Sequence, residues 1–279
     1  MIDVIVTSSS RPQLWPYFLN AFFEHVHCRS GFNIIVHEDF VLRKESHKVL
    51  IYLEINRPVN TVLYDDPAVG LGQSIDILLK NTNSKYVLYL QEDWEFERHV
   101  DLDQLMWVMD ENPNVNCIFF NKYRNFKIFN DIEQPQYTYS FVDMCLYHSW
   151  TFLPGIWRVD HVRKYWRWRK ERSEGYFTNS FGTHEQRNDH EYSKKILGVY
   201  MLGKQEEPRY VRHIGNDWRM EKWRMENGQP GGANKPDILD IPHRAKWLPE
   251  MEERPQRKMT YTKDEIDRLI NDEPKEIKL

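Results

Sequence analysis

Cysteine is scarce: Cys28, Cys117 and Cys145 are the only three in 279 residues, and they lie far apart. No CxxC pair is present, so neither a thiolate zinc pattern nor a disulfide framework is implied, and a reducing compartment fits. Net basicity is also missing. Thirty-eight Lys and Arg stand against 42 Asp and Glu, a formal charge of -4, so no overall positive charge points to nucleic acid, although a local patch still can. No apolar run approaches the ~20 residues of a membrane span. The start, MIDVIVTSSS, has no charged leader followed by an apolar segment, and the expectation is a soluble, cytoplasmic protein with no membrane partner. There is no internal repeat. What the chain does have is 41% hydrophobic and 14% aromatic residues, enough for one large core with an appendage.

The first half is legible as alternating elements. Ile2 to Thr7 is a β-branched run that gives way to SSSRP, after which Leu14, Trp15, Phe18 and Phe22 recur at helical spacing behind Pro12. Asn33 to His37 is a second strand, ending in His37, Glu38 and Asp39, and Thr61 to Tyr64 is a third, ending in Asp65, Asp66 and Pro67. Ile75, Leu78 and Leu79 mark a helix that stops at NTNS, and a further strand follows at once. Polar residues therefore collect at the strands' C-terminal ends. That pattern predicts an open α/β sheet, whose ligands bind in the crevice beyond those ends. Cys117 to Phe120 is another strand, Val162 to Arg172 a helix, and GQPGGANKP from Gly228 a connector. Thr262 and Glu265 form a capping box ahead of Ile266, Leu269 and Ile270, so the tail ends in a short helix.

YVLYLQEDWEF, residues 86–96, buries Val87, Leu88 and Leu90 and then releases Glu92, Asp93 and Glu95. Adjacent carboxylates repel unless something positive lies between them, so the stretch is either a metal site or a solvated turn. The loop Ser8, Ser9, Arg11 either caps a helix or receives a nucleotide's base and phosphate. Asp39 and Asp66 either bind ribose or base or end their strands.

An α/β half whose central strand ends in a carboxylate cluster resembles the GT-A glycosyltransferases. VTSSSRP takes the place of their first strand and loop, and LQEDWEF that of their acidic "DxD" motif. The resemblance covers roughly residues 1–215. It implies a Rossmann-like, mixed but mostly parallel sheet flanked by helices over 1–227, with a nucleotide-sugar half (1–112) and an acceptor half (113–227). Residues 228–279 form a connector and a C-terminal helical tail. Family members often read L-E-D-D-W where this chain has Gln91, Glu92, Asp93 and Trp94, so the motif is a degenerate version in which Asp93 matches best. PGIWR, 154–158, looks like the acceptor-side loop, and HEQRNDHEY, 184–192, like the segment that supplies the catalytic base. RHIG, 212–215, resembles the late histidine of the metal site. The resemblance thus implies Asp93 and His213 as ligands of a divalent metal, Mn²⁺ or Mg²⁺. It makes Asp189 and Glu191, with Glu185 behind them, candidates for the base. Thr7, Ser8, Ser9, Arg11, Asp39, Asp66, Gln91 and Glu92 would face a nucleotide sugar, foremost a UDP-sugar. A cation would neutralise charge on the departing diphosphate, and a carboxylate would take the acceptor's proton.

The acceptor is read from basic-aromatic stretches. RVDHVRKYWRWRKER, 158–172, carries seven basic residues against two acidic ones, and a helix there would set Arg163, Arg167 and Lys170 on one face. RYVRHIGNDWRMEKWR, 209–224, is a second. Together they could track a phosphate backbone with aromatics ready to stack on a base, or they could be solvated stripes. Phage enzymes that glycosylate hydroxymethylated bases in double-stranded DNA would need such equipment, with the host cytoplasm as their location. A surface saccharide is the alternative acceptor, and an inactive nucleotide-sugar-binding module the alternative class.

Overall fold

The computed structural model describes residues 1–56, 59–120, 144–147, 150–166, 173–203 and 209–215. Strand β1 (Ile2–Ser8) is buried at every position. After a 3₁₀ turn, Pro12–Leu14, come α1 (Trp15–His25), the two-residue β2 (Val26–His27) and β3 (Phe32–Asp39). Helix α2 (Arg43–Asn56), β4 (Thr61–Asp65), α3 (Leu71–Lys80) and β5 (Tyr86–Gln91) complete the nucleotide-type half. The chain then runs through β6 (Trp94–Phe96), β7 (Val100–Asp101), α4 (Leu102–Glu111), β8 (Cys117–Phe120), β9 (Met144–Leu146) and β10 (Gly155–Arg158). Helices α5 (Val159–Tyr165), α6 (Ser173–Asn179), α7 (His184–Asn188) and α8 (His190–Tyr192), a π-helical turn at Ser193–Leu197, β11 (Val199–Leu202) and β12 (Val211–His213) follow.

Eight strands form one sheet in the order β4-β3-β1-β5-β10-β8-β11-β9. The first four are mutually parallel, and their near-continuous apolar runs are what a sheet covered on both faces requires. β10 enters antiparallel between β5 and β8. This corrects the expectation for PGIWR: Gly155 to Arg158 is a central strand and not a loop. A Cβ on Gly155 would lie 2.7 Å from the Ile118 carbonyl oxygen, so the close approach of β8 needs glycine. Trp157 stacks on Tyr89 at 4.4 Å, and Arg158 Nη2 donates to the carbonyls of Met109 and Val115. One hydrophobic cluster runs from Ile2 to Val211 and joins both halves of the sheet.

Two boundaries differ from expectation. The helix drawn over 162–172 begins at Val159 and ends at Tyr165, because Trp166 takes up ψ 114° and leaves helical geometry; Arg167 and Lys170 lie outside the described residues. The connector from Gly228 and the tail helix at 262–270 lie outside them too. No helix among the described residues is long and apolar enough to cross a membrane.

Candidate active site

The parallel strands deliver their polar ends to one edge of the sheet. Thr7 and Ser8 close β1, Asp39 closes β3, and Gln91 closes β5. With Ser9, Arg11, Glu92 and the first turn of α3, Leu71 and Ser74, they line a cleft of about 170 Å³. Seven of the residues expected to face a nucleotide sugar thus share one wall. The eighth, Asp66, lies outside this lining and pairs with Arg43 at 3.0 Å.

Glu92 and Asp93 are 1% and 2% exposed, so the solvated-turn alternative is excluded. The positive charge between them is Arg11. Its Nε donates to Glu92 Oε1 at 2.8 Å and its Nη1 to Asp93 Oδ2 at 2.5 Å. Burial alone would raise both carboxyls. For Asp93 the His213 hydrogen bond and the Arg11 charge outweigh it and hold the group below the usual carboxylate range, whereas burial wins for Glu92 and lifts it despite Arg11. His213 Nε2 stands 3.2 Å from Asp93 Oδ2, and its ring packs edge-on against Trp94 at 4.6 Å.

β12 carries His213 to this place by pairing antiparallel with β6, opposite Trp94. The chain then folds over the motif: Ile214 N–H donates to the Asp93 carbonyl at 2.9 Å, and a Cβ on Gly215 would sit 2.7 Å from the Asp93 Cβ. Arg212 of this ribbon pairs with Glu95, and Arg209 just before it with Glu97 at 2.6 Å, so both arginines are engaged by carboxylates at or next to the acidic motif. Arg163 Nη2 is likewise engaged, donating to the Leu79 and Thr82 carbonyls that end α3, at 2.7 and 2.9 Å.

Several side chains expected at the site organise its walls. Asp39 accepts from the backbone N–H groups of Val69 and Gly70, at 2.6 and 2.9 Å, and so fixes the entry to α3. Gln91 donates to Tyr89 Oη at 2.9 Å and to the Phe152 carbonyl at 3.1 Å. Sequence reasoning missed Glu38, the organiser of the serine loop. Fully buried, it accepts from Ser8 Oγ, from Ser10 N at 2.7 Å and from Ser46 Oγ at 2.6 Å; burial pushes its carboxyl up. Its position at the end of β3 was visible, but Ser46 lies in α2, which local pattern did not reveal.

The proposed bases stand elsewhere. Thr183 and Gln186 form a capping box at α7, and Asp189 Oδ1 caps α8 by accepting from Tyr192 N at 2.7 Å. Glu185 and Glu191 are exposed. None of the three lines the cleft.

As for a metal, no group of three or more His, Cys, Asp or Glu among the described residues is arranged to hold one. Two donor atoms beside the motif are nevertheless unengaged. Asp93 Oδ1 and His213 Nδ1 are buried with no hydrogen-bond partner among the described residues, and Mg²⁺ or Mn²⁺ accepts one or two protein ligands when phosphates and waters supply the rest. With Nε2–H donating to Asp93, Nδ1 is the ring nitrogen left to carry a lone pair for a metal.

The mixed, mostly parallel sheet flanked by helices, with its acidic motif just past the central strand, is the GT-A fold. The fragment 1-349 of S. aureus TarS matches over 86% of this chain and 69% of its own length, at 13% identity and a TM-score of 0.50. The same fragment in complex with UDP-GlcNAc matches over 86% and 70%, at 14% identity and a TM-score of 0.50. The Mannosyltransferase PcManGT from Pyrobaculum calidifontis, in complex with GDP-Man and Mn²⁺, aligns over 88% and 69%, at 12% identity and a TM-score of 0.47. Against the longer S. aureus TarS chain the match spans 42% of that chain's length. No family model and no curated protein matches the sequence.

Proposed function

We propose that the protein is a glycosyltransferase that moves a sugar from a nucleotide-diphosphate sugar, foremost a UDP-sugar, to an acceptor hydroxyl. The observation that carries this reading is the buried Arg11–Glu92–Asp93 cluster at the C-terminal edge of a GT-A sheet, in which Arg11 and Glu92 line the cleft and Asp93, with His213, stands behind that lining. The cleft is smaller than the ~300–1,000 Å³ of typical ligand sites, so it receives one moiety of the donor. The TarS fragment's complex with UDP-GlcNAc supports the choice of donor class. In the reaction the acceptor oxygen bonds to the anomeric carbon, the bond from that carbon to the diphosphate breaks, and the acceptor proton passes to a base. Arg11 and the Ser9 N–H, already aimed at Glu92, offer donors for phosphate oxygens. Asp93 and His213 would hold Mn²⁺ or Mg²⁺, which when bound supplies positive charge to the leaving diphosphate. Asp189 or Glu191 would take the proton, with Glu185 in reserve.

For the acceptor, a saccharide hydroxyl is the better reading. The argument for hydroxymethylated cytosine in phage DNA rested on the basic stretches 158–172 and 209–224; Arg163, Arg209 and Arg212 in them are bound to partners within the fold, and Arg167, Lys170 and residues 216–224 lie outside the described residues. The test is a thermal-stability screen of nucleotide sugars with Mn²⁺, followed by transfer of labelled sugar to saccharides and to duplex containing 5-hydroxymethylcytosine. A donor present at ~100 times its Kd adds about 2.7 kcal/mol of stability and raises the melting temperature. No shift with any nucleotide sugar refutes the reading; label on the duplex alone reverses the choice of acceptor.

A further inference from the structure

We propose that Arg11 is the resident cation of the acidic motif and makes divalent-metal binding conditional on the nucleotide diphosphate. The inference rests on the reading of this cleft as a nucleotide-sugar site. Glu92 and Asp93 need a counter-charge because they are almost wholly buried, and the guanidinium supplies it to both through separate nitrogens, Nε and Nη1. Such a fork matches a pair of oxygens, and phosphate oxygens suit it as well as carboxylates do.

The cluster is not saturated. Asp93 Oδ1 remains buried with no partner among the described residues, so one acceptor still faces an empty electrostatic demand. A divalent ion drawn to it must approach Arg11, whose own charge sits on the same carboxylate and repels it in a water-poor setting where charges interact strongly. Alone, therefore, the ion binds weakly. A diphosphate changes the balance in two ways. It adds negative charge, and it gives Arg11 an alternative partner, because Arg11 lies on the cleft wall beside Ser8 and Ser9 and is 16% exposed at its side chain. Released from Asp93, the guanidinium holds phosphate, and Asp93 Oδ1 meets the metal without the neighbouring charge while Oδ2 keeps its contact with His213. By linkage, each ligand then tightens the other by the same factor.

The experiment measures Mn²⁺ binding by electron paramagnetic resonance, with and without UDP, for the wild type, Arg11→Gln and Arg11→Lys. For the wild type the expected result is weak binding of Mn²⁺ alone and a tightening by UDP of about 5–150-fold, the usual span of coupling between sites. Arg11→Gln should bind Mn²⁺ alone more tightly than the wild type and lose most of the coupling, while Arg11→Lys, which keeps a charge, should stay near the wild type. Because Arg11→Gln leaves two bare carboxylates, the double variant Arg11→Gln/Glu92→Gln, which keeps the cluster's net charge, serves in its place if the single one does not fold. Unchanged or weaker Mn²⁺ binding by whichever of these folds overturns the inference. So does a wild type that binds UDP with no dependence on Mn²⁺, an outcome that leaves the nucleotide reading standing; a wild type that binds no nucleotide removes that reading itself.

Discussion

Asp93 depends on a residue 122 positions later that has no side chain. Gly215 lets the chain fold over the carboxylate, since a Cβ there would stand 2.7 Å from the Asp93 Cβ, and backbone and carboxylate have little room to separate. Gly215→Ala should therefore displace Asp93 from Arg11 and His213, costing about 1–3 kcal/mol of stability, the usual penalty of overpacking. Nucleotide binding in the presence of Mn²⁺ should weaken in parallel. Chemical denaturation and UDP titration check the two effects, and a variant normal in both would show that the close approach has slack. The charged pair at 92 and 93 was legible in the sequence because a strand of Val87, Leu88 and Leu90 leads straight into it. The identity of its counter-ion was not. Arg11 is 81 residues from Glu92, and nothing in local pattern says which of 38 basic residues will be brought there by the pairing of β1 with β5.

At the scale of elements, the strands that read as unbroken apolar runs were found nearly to their ends: β1, β3, β4, β5 and β8. Helices α1 and α3 were found by their spacing. Helix α2 was not, because VLIYL inside it is a continuous apolar run that has no helical period of its own. β10 hid for another reason: its burial comes from neighbours on both sides, Tyr89 and Phe119, distant in sequence. Helix α5 presents a testable consequence of burial. His161 lies between Trp150 at 5.8 Å and Phe181 at 5.6 Å, stacked on each, and burial, aided by Lys164 and Arg158, holds its pKa down at about 4. The folded state thus binds this proton less readily than the unfolded chain, whose histidine titrates near 6.5. Stability from this group is complete above pH ~6.5 and is lost as pH falls towards 4, by at most about 3 kcal/mol. His161→Phe should flatten the stability profile across that window. An equally steep profile in the variant would place the acid sensitivity at another group.

Across the whole molecule, the sheet edge that gathers Thr7, Ser8, Asp39 and Gln91 was foreseeable, since alternating strands and helices send their polar exits to one side. The acceptor side was not, because its assignments came from short segments whose partners are far away. Asp189 and Glu191 illustrate this: one caps α8, and the other is 83% exposed at its side chain. Asp189→Asn and Glu191→Gln, made separately, should tell whether either takes the proton. Loss of the true base slows transfer by about 10²–10⁴ with donor affinity unchanged, and two variants of normal rate would move the base elsewhere. The account as a whole turns on one carboxylate. Calorimetric titration of UDP into wild type and Asp93→Asn, each with Mn²⁺, tests it most directly: the wild type should bind and the variant, still folded, should lose the metal-dependent part. Equal affinity in both proteins, or none in the wild type, would contradict it.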